Sequence, residues 1–346
     1  MNTEVEESIS VLETDWRLLL KNAVRTVEDL SRKLGFESLP SQWYEARDFP
    51  IRVPEPYLSR IKKKDLTDPL LLQVVPHVAE SRQVVGFSPD PLLESKSMIG
   101  QGVLQKYQGR VLLITTSACA VNCRYCFRRS FPYAENVVAP SSTSLGSIES
   151  DSSIKEVILS GGDPLILSDK QLGRLFEQLD SIKHLDRIRI HTRLPVVIPQ
   201  RVTAGLRELL RGLSKKVIFV LHFNHPAEID SEVSLALKML ADDKHILLNQ
   251  SVLLKGVNDS PEVLASLSEK LFESRVLPYY LNMLDRVEGT AHFEVSEQQA
   301  VRIYRKLQAQ LSGYLVPKLV REIPGAKSKE LQPLQLSRST KGTSPF

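Results

Sequence analysis

Apolar residues near the start of the chain recur at intervals of three and four. Leu12, Trp16, Leu19, Leu20, Ala23, Val27, Leu30 and Leu34 predict one amphipathic helix from Val11 to Leu34, stopped by Gly35. Pro40, Pro50, Pro54 and Pro56 break the next stretch into turns, and Asp65 to Glu80 predicts a second helix entered at Asp68-Pro69. The segment Gly86–Leu92 reads as extended chain crossing a surface. From Gly109 the texture changes to short β-branched runs alternating with helical patterns. The expected strands are Arg110–Thr115, Glu156–Ser160, Arg187–His191, Lys216–His222, His245–Val252 and Pro278–Met283. The expected helices are Ser168–Leu179, Pro199–Leu213, Ala227–Ala241, Pro261–Glu273 and Ser296–Leu311. Units of roughly 30 residues predict parallel strands with right-handed crossovers. Six such strands imply an α/β fold, a partial or open (β/α)6 barrel whose site lies at the strand C-terminal ends. Pro140–Ser147 is a polar loop with room for a short helix. Beyond Val320 the barrel pattern stops, 323–329 reads as a loop, and Ser337–Phe346 is polar enough to be a disordered tail. The expected division is a mainly helical N-terminal extension (1–105), the barrel (106–320) and a C-terminal segment (321–346).

Composition narrows the class without naming a chemistry. The 346 residues are 42% hydrophobic and 25% charged, ordinary for a globular protein. The net charge of +4 is small and scattered, so nucleic acid is not an expected partner. The densest basic run, Arg60-Ile-Lys-Lys-Lys64, reads as a solvated helix face. No apolar stretch approaches the roughly 20 residues that cross a bilayer, so no membrane is expected. The acidic N-terminus lacks the pattern of a secretory signal. The expected compartment is the cytoplasm.

The 3 cysteines of the chain fall together as Cys119-Ala-Val-Asn-Cys123-Arg-Tyr-Cys126. A disulfide framework wants an even number at spread positions, and a structural zinc site wants a fourth soft ligand. Three clustered thiolates suit a 4Fe-4S cluster whose fourth iron is open, with a zinc or redox cysteine site as the alternative. The spacing resembles that of the radical S-adenosylmethionine (SAM) enzymes. That resemblance implies that the open iron takes the amine and carboxylate of SAM, whose cleavage releases an adenosyl radical. Ser160-Gly-Gly-Asp-Pro164 ends the second expected strand. Gly161 and Gly162 would let the backbone approach a ligand, and Asp163 would accept from an ammonium; a plain turn is the alternative. In the radical SAM enzymes such a stretch lines the amino group of SAM.

A narrower resemblance rests on Leu159–Leu165, His191–Arg201, His222–Pro226, Asn249–Asp259 and Pro278–Tyr280, which in this order are similar to the lysine 2,3-aminomutase family from about Asp68 to Lys329. That family adds pyridoxal 5′-phosphate (PLP), which needs a lysine for its resting Schiff base. The family lysine lies five residues beyond a loop proline, and counting from Pro324 places it at Lys329, with Lys327 as the fallback. Arg128 resembles the family arginine that pairs with the substrate carboxylate, while Arg129 reads as structural. Arg110, with Lys106 and Tyr107, falls where the family has groups near PLP. Asp285 matches a carboxylate that grips the far ammonium of lysine, with an ordinary loop acid paired to Arg286 as the alternative. Asp259 reads as an acid beside a helix N-cap. Glu322 stands where the family has a second aspartate, which puts turnover of free lysine in doubt. His191, His222 and His225 read as SAM contacts or packing rather than metal ligands, and Tyr279 and Tyr280 as barrel core or cofactor walls.

Within the family, Glu322, the short sequence after Lys329 and the stretch Leu281–Phe293 resemble the branch that makes (R)-β-lysine for elongation factor P. The implied activity is isomerisation of L-α-lysine to (R)-β-lysine. The implied partners are elongation factor P with its lysyl-ligase-like modifying enzyme, an electron donor such as flavodoxin, and a second copy in a homo-oligomer. An aminomutase for catabolic lysine or another amino acid is the rival enzyme reading. A cysteine-cluster redox sensor is the rival without catalysis.

Overall fold

The computed structural model describes residues 14–132 and 144–332. The acidic N-terminus, the start of the first expected helix, the first half of the Pro140–Ser147 loop and the polar tail lie outside them. One sheet runs in chain order through β1 (Met98–Gly100), β2 (Val103–Tyr107), β3 (Arg110–Thr116), β4 (Glu156–Gly161), β5 (Arg187–Thr192), β6 (Lys216–Leu221), β7 (Ile246–Val252), β8 (Leu277–Asn282), β9 (Lys318–Arg321) and β10 (Glu330–Leu331). Strands β3 to β9 pair in parallel, and the antiparallel β1–β2 hairpin and β10 flank them. The six expected strands are β3–β8, and the architecture is the partial α/β barrel. A seventh parallel strand, β9, extends it where the sequence pattern stops, because four residues are too few to display an alternation.

Period-two alternation sorts the barrel into two surfaces. In β5, Ile188 and Ile190 are fully buried in the apolar cluster beneath the helices, while Arg189 and His191 line the interior cavity. The helices that follow the strands present apolar stripes to this cluster. In α6 (Asp169–Ser181) Leu172, Leu175, Phe176 and Leu179 are buried, and Ser168 forms a capping box with Gln171. Helices α8 (Ala204–Arg211), α9 (Ser231–Asp242), α10 (Pro261–Glu273) and α11 (Glu297–Gln310) repeat the arrangement, each with a Ser, Thr or Asp at its N-cap. Short helix α5 (Ser144–Ser150) lies in the β3–β4 crossover, and α7 (Leu194–Val197) precedes α8 between β5 and β6.

The N-terminal extension departs from the expected long helices. The single helix over Val11 to Leu34 is split into α1 (Trp16–Lys21) and α2 (Val27–Lys33), because Val24 leaves the helical path to bridge Val53 in both directions. After the short α3 (Glu55–Leu58), the helix expected over Asp65 to Glu80 shrinks to α4 (Pro69–Leu72); Pro76 disfavours helical backbone in the residue before it. Arg60–Lys64 is a turn, not a helix face. Lys62–Lys64 are exposed as expected, but Arg60 turns inward and Nη2 donates to the carbonyl of Val196 at 2.6 Å. The extension is nonetheless part of the main core: Trp16, Leu30, Val53, Tyr57 and Leu70 share one apolar cluster with Val111, Val157 and Ile188. Among the described residues, no helix is long and apolar enough to cross a membrane.

Candidate active site

The cysteine loop leaves the C-terminal end of β3 and is held by its neighbours as well as by its own turns, such as Cys126 N–H to the Cys123 carbonyl at 3.0 Å. The end of β4 grips it through Gly162 N–H to the Thr116 carbonyl (2.6 Å) and Asp163 N–H to the Ala118 carbonyl (2.8 Å). A Cβ on Gly162 would lie 2.3 Å from the Ala118 carbonyl oxygen, and Gly161 holds φ at +111°. Here the glycine pair is demanded by the approach of β4 to the cysteine loop. The extension grips the other side. Arg52 Nη1 donates to the Cys119 carbonyl at 2.7 Å, and the fully buried Arg124 donates through Nε to Glu80 Oε1 at 2.9 Å. Arg129 also donates to Glu80, at 2.7 Å, which gives it the structural role expected of it.

All three cysteines are free thiols lining one cavity of about 320 Å³. Burial, with the Cys123 charge, pushes the Cys126 thiol up to about 11, and burial with the Asp163 charge pushes Cys119 well above its ordinary value. Metal bound here must displace those protons. No group of three His, Cys, Asp or Glu among the described residues is placed to hold a single metal ion. A cluster that gives each thiolate its own iron does not require them to converge on one point. The donor set therefore fits the cluster. The buried Nε2 of His191, also on the cavity wall, has no hydrogen-bond partner and presents a polar atom to a ligand. Burial pushes His222 down to about 3 and His191 well below its usual value, so both imidazoles are neutral. His225 instead caps a turn, its Nδ1 accepting from Ala227 N–H at 3.1 Å.

The cavity wall also carries a chain of alternating charges. Arg128 donates through Nε and Nη2 to Glu94 at 2.7 and 2.9 Å, and through Nη1 to Ser160 Oγ at 2.9 Å. Lys106 bridges Glu94 (3.0 Å) and Glu322 (2.8 Å). Lys329 Nζ then meets Glu322 at 2.9 Å and donates to Asn282 Oδ1 at 2.9 Å. Burial would raise Glu322, but Lys329 and Lys106 outweigh it and hold the carboxyl down at about 2. Among the described residues, Asp285 has no such pair within ion-pair distance. Burial pushes it up to about 7 against the opposing charge of Lys329. The rings of Tyr279 and Tyr280 lie 3.8 Å apart, tilted by 36°, and line the wall, and Arg110 lies 4.5 Å over the Tyr107 ring.

A 4Fe-4S single cluster domain model matches residues 104–192. The chain is 46% identical to an L-lysine 2,3-aminomutase of Haemophilus influenzae over 94% of this chain and 98% of that protein. It is 44% identical to the L-lysine 2,3-aminomutase of Escherichia coli over 93% of this chain and 95% of the relative. The enzyme of that name from Clostridium subterminale is 35% identical over 91% of this chain and 77% of its own length. The chain belongs to the lysine 2,3-aminomutase family. It is accordingly an isomerase.

In this lysine aminomutase the three thiols and the Lys329 amine line the same cavity. Each residue singled out in the sequence as a site candidate, namely Cys119, Cys123, Cys126, Gly161, Gly162, Asp163, Arg110, Arg128, Asp285, Glu322 and Lys329, lines this cavity. Lys327 is exposed and does not. Asp259 lies away from it, accepting from Gly256 N–H at 2.9 Å beside the Ser260 N-cap. The Asp163 carboxylate already accepts from Thr192 Oγ1 (2.7 Å) and from the backbone N–H groups of Arg193 (2.7 Å) and Leu165 (3.1 Å). Two charged groups escaped sequence reasoning, Glu94 and Arg193. Glu94 belongs to no local motif, and Arg193 lies within the His191–Arg201 stretch without a role assigned to it there; their importance comes from contacts 34 and 70 residues away in the chain.

Proposed function

We propose that the chain converts L-α-lysine to (R)-β-lysine with a 4Fe-4S cluster, SAM and PLP, and that the product serves post-translational β-lysylation of elongation factor P. The observation that carries this reading is the single cavity shared by the cysteine loop, Arg128, Lys329 and the two carboxylates Asp285 and Glu322. When bound, the cofactors supply the radical source and the delocalising ring. The protein's own residues bind and orient. Cys119, Cys123 and Cys126 would hold the cluster, and Lys329 would hold PLP, with Arg110 and Tyr107 nearby. The Arg128 fork suits a carboxylate, and Glu94 occupies two of its donors. Asp285 and Glu322 supply negative charge for a far ammonium, which disfavours an acidic amino acid as substrate. The stretch Leu281–Phe293 and Glu322 support the elongation-factor branch. The His191 and His222 imidazoles, being neutral, suit contact with a cationic sulfonium better than protonated rings would.

The test is anaerobic: reconstitute the cluster, add PLP, dithionite, SAM and L-lysine, and follow β-lysine by chromatography with mass spectrometry. Product that depends on both SAM and PLP is the expected result. SAM cleavage without β-lysine from free lysine, or from lysine already attached to elongation factor P, overturns the substrate assignment.

A further inference from the structure

The Arg193 guanidinium sits where the barrel and the N-terminal extension meet the cysteine loop. Its side chain is 5% exposed, and Nη1 donates to Cys123 Sγ at 2.8 Å. Nη2 donates to Gln73 Oε1 at 2.7 Å and to Glu228 Oε1, with Tyr57 Oη at 3.4 Å. The second Glu228 oxygen is held by the backbone N–H groups of Asn224 (2.7 Å) and His225 (3.1 Å). Among the described residues, Cys123 is the thiol with a side-chain cation in hydrogen-bond contact. Burying an arginine requires a countercharge, which the fully buried Glu228 provides. A plain ion pair would not require the donor edge to be turned toward sulfur. Gln73 and Tyr57, both contributed by the extension, fix it in that orientation.

We propose that Arg193 is a positioning and tuning residue that raises the reduction potential of the cluster through Cys123, and that the extension acts on the site through Gln73. The inference rests on reading the three cysteines as cluster ligands. Accepting an electron makes the cluster and its thiolates more negative. A cationic donor fixed against one sulfur in a low-dielectric setting stabilises that reduced state more than the oxidised one. No proton need move with the electron, because Arg193 stays charged throughout.

The experiment is an anaerobic potentiometric titration, read by electron paramagnetic resonance, of the reconstituted full chain without SAM. Arg193→Gln alone would strand Glu228, so the decisive variant is the pair Arg193→Gln with Glu228→Gln. A second variant, Gln73→Leu, leaves both charges in place. The expected result is wild-type iron and sulfide content in both. The double variant should be about tenfold harder to reduce, equivalent to a midpoint about 59 mV more negative for a one-electron couple. Gln73→Leu should shift the same way by less. An unchanged midpoint in both variants at full iron content overturns the proposal and leaves the cluster reading intact. Loss of iron from both variants also overturns it, since Arg193 would then retain the cluster rather than tune it. A wild-type chain that takes up no iron and sulfide overturns the cluster reading, and this proposal with it.

Discussion

Two residues at the Lys329 end of the cavity have separable roles. Lys329→Ala removes the amine that would anchor PLP, whose contacts are to Glu322 and Asn282 and not to a thiol, so β-lysine formation should disappear while the visible spectrum of the reconstituted cluster persists. A variant with wild-type activity would remove Lys329 from the chemistry. Asp285 makes a pH-dependent prediction. Its carboxyl is pushed up to about 7, chiefly by burial, with Lys329 pulling the other way. A lysine ammonium is gripped only by the ionised form, so KM for lysine should rise as pH falls below about 7. Asp285→Asn should raise KM at every pH and abolish that dependence, which steady-state kinetics from pH 6 to 8 would show. The linkage to stability has the opposite sign. A carboxyl whose folded pKa lies above its unfolded value of 3.8 stabilises the fold most below 3.8. That contribution is lost as pH rises to about 7. The same charge that binds substrate is thus carried at some expense to the empty protein.

At the scale of elements, the contact between β4 and the cysteine loop organises the thiol end. Gly162→Ala would place a methyl 2.3 Å from the Ala118 carbonyl oxygen and 2.8 Å from the Ala118 carbonyl carbon and nitrogen. The loop must move, so stability should fall by at least about 1–3 kcal/mol. Iron content after reconstitution should fall too, measurable beside a denaturation midpoint. Full iron at wild-type stability would show that the loop adjusts freely. The motifs at this end were legible because each is local: three cysteines in eight residues, then a glycine pair at a strand end. The strands were legible because the β-branched runs are long enough to display a period. What escaped depends on distance or brevity. Glu94 follows Leu93, a non-glycine residue at φ 49° that turns the chain inward, and nothing in the sequence around it announces a partner at Arg128. The β1–β2 hairpin and β9 are too short to outweigh their surroundings. The first helix failed for another reason: its apolar spacing is real, but the Val24–Val53 bridge outcompetes helical hydrogen bonding at its middle.

For the whole molecule, the open question is whether the extension is a separate domain, as its change of texture at Gly109 suggests. Its contacts argue for one cooperative unit. Residues from α1, α2 and α4 share an apolar cluster with the barrel strands, and Glu80 carries the buried Arg124 of the cysteine loop. Removing one member of such a buried pair typically costs about 3–5 kcal/mol, so the extension and the loop cannot part cheaply. The chain contains its own reporter for this. Its 2 tryptophans, Trp16 and Trp43, both lie in the extension, whereas the long helices α6, α9, α10 and α11 that dominate far-ultraviolet dichroism lie in the barrel. Urea unfolding followed by tryptophan fluorescence and by dichroism should therefore give coincident transitions with one midpoint. An earlier fluorescence transition would show that the extension detaches first. The Gln73 and Tyr57 contacts to Arg193 would then be lost while the barrel still stands, and the thiol end would be tuned by a part that can come away.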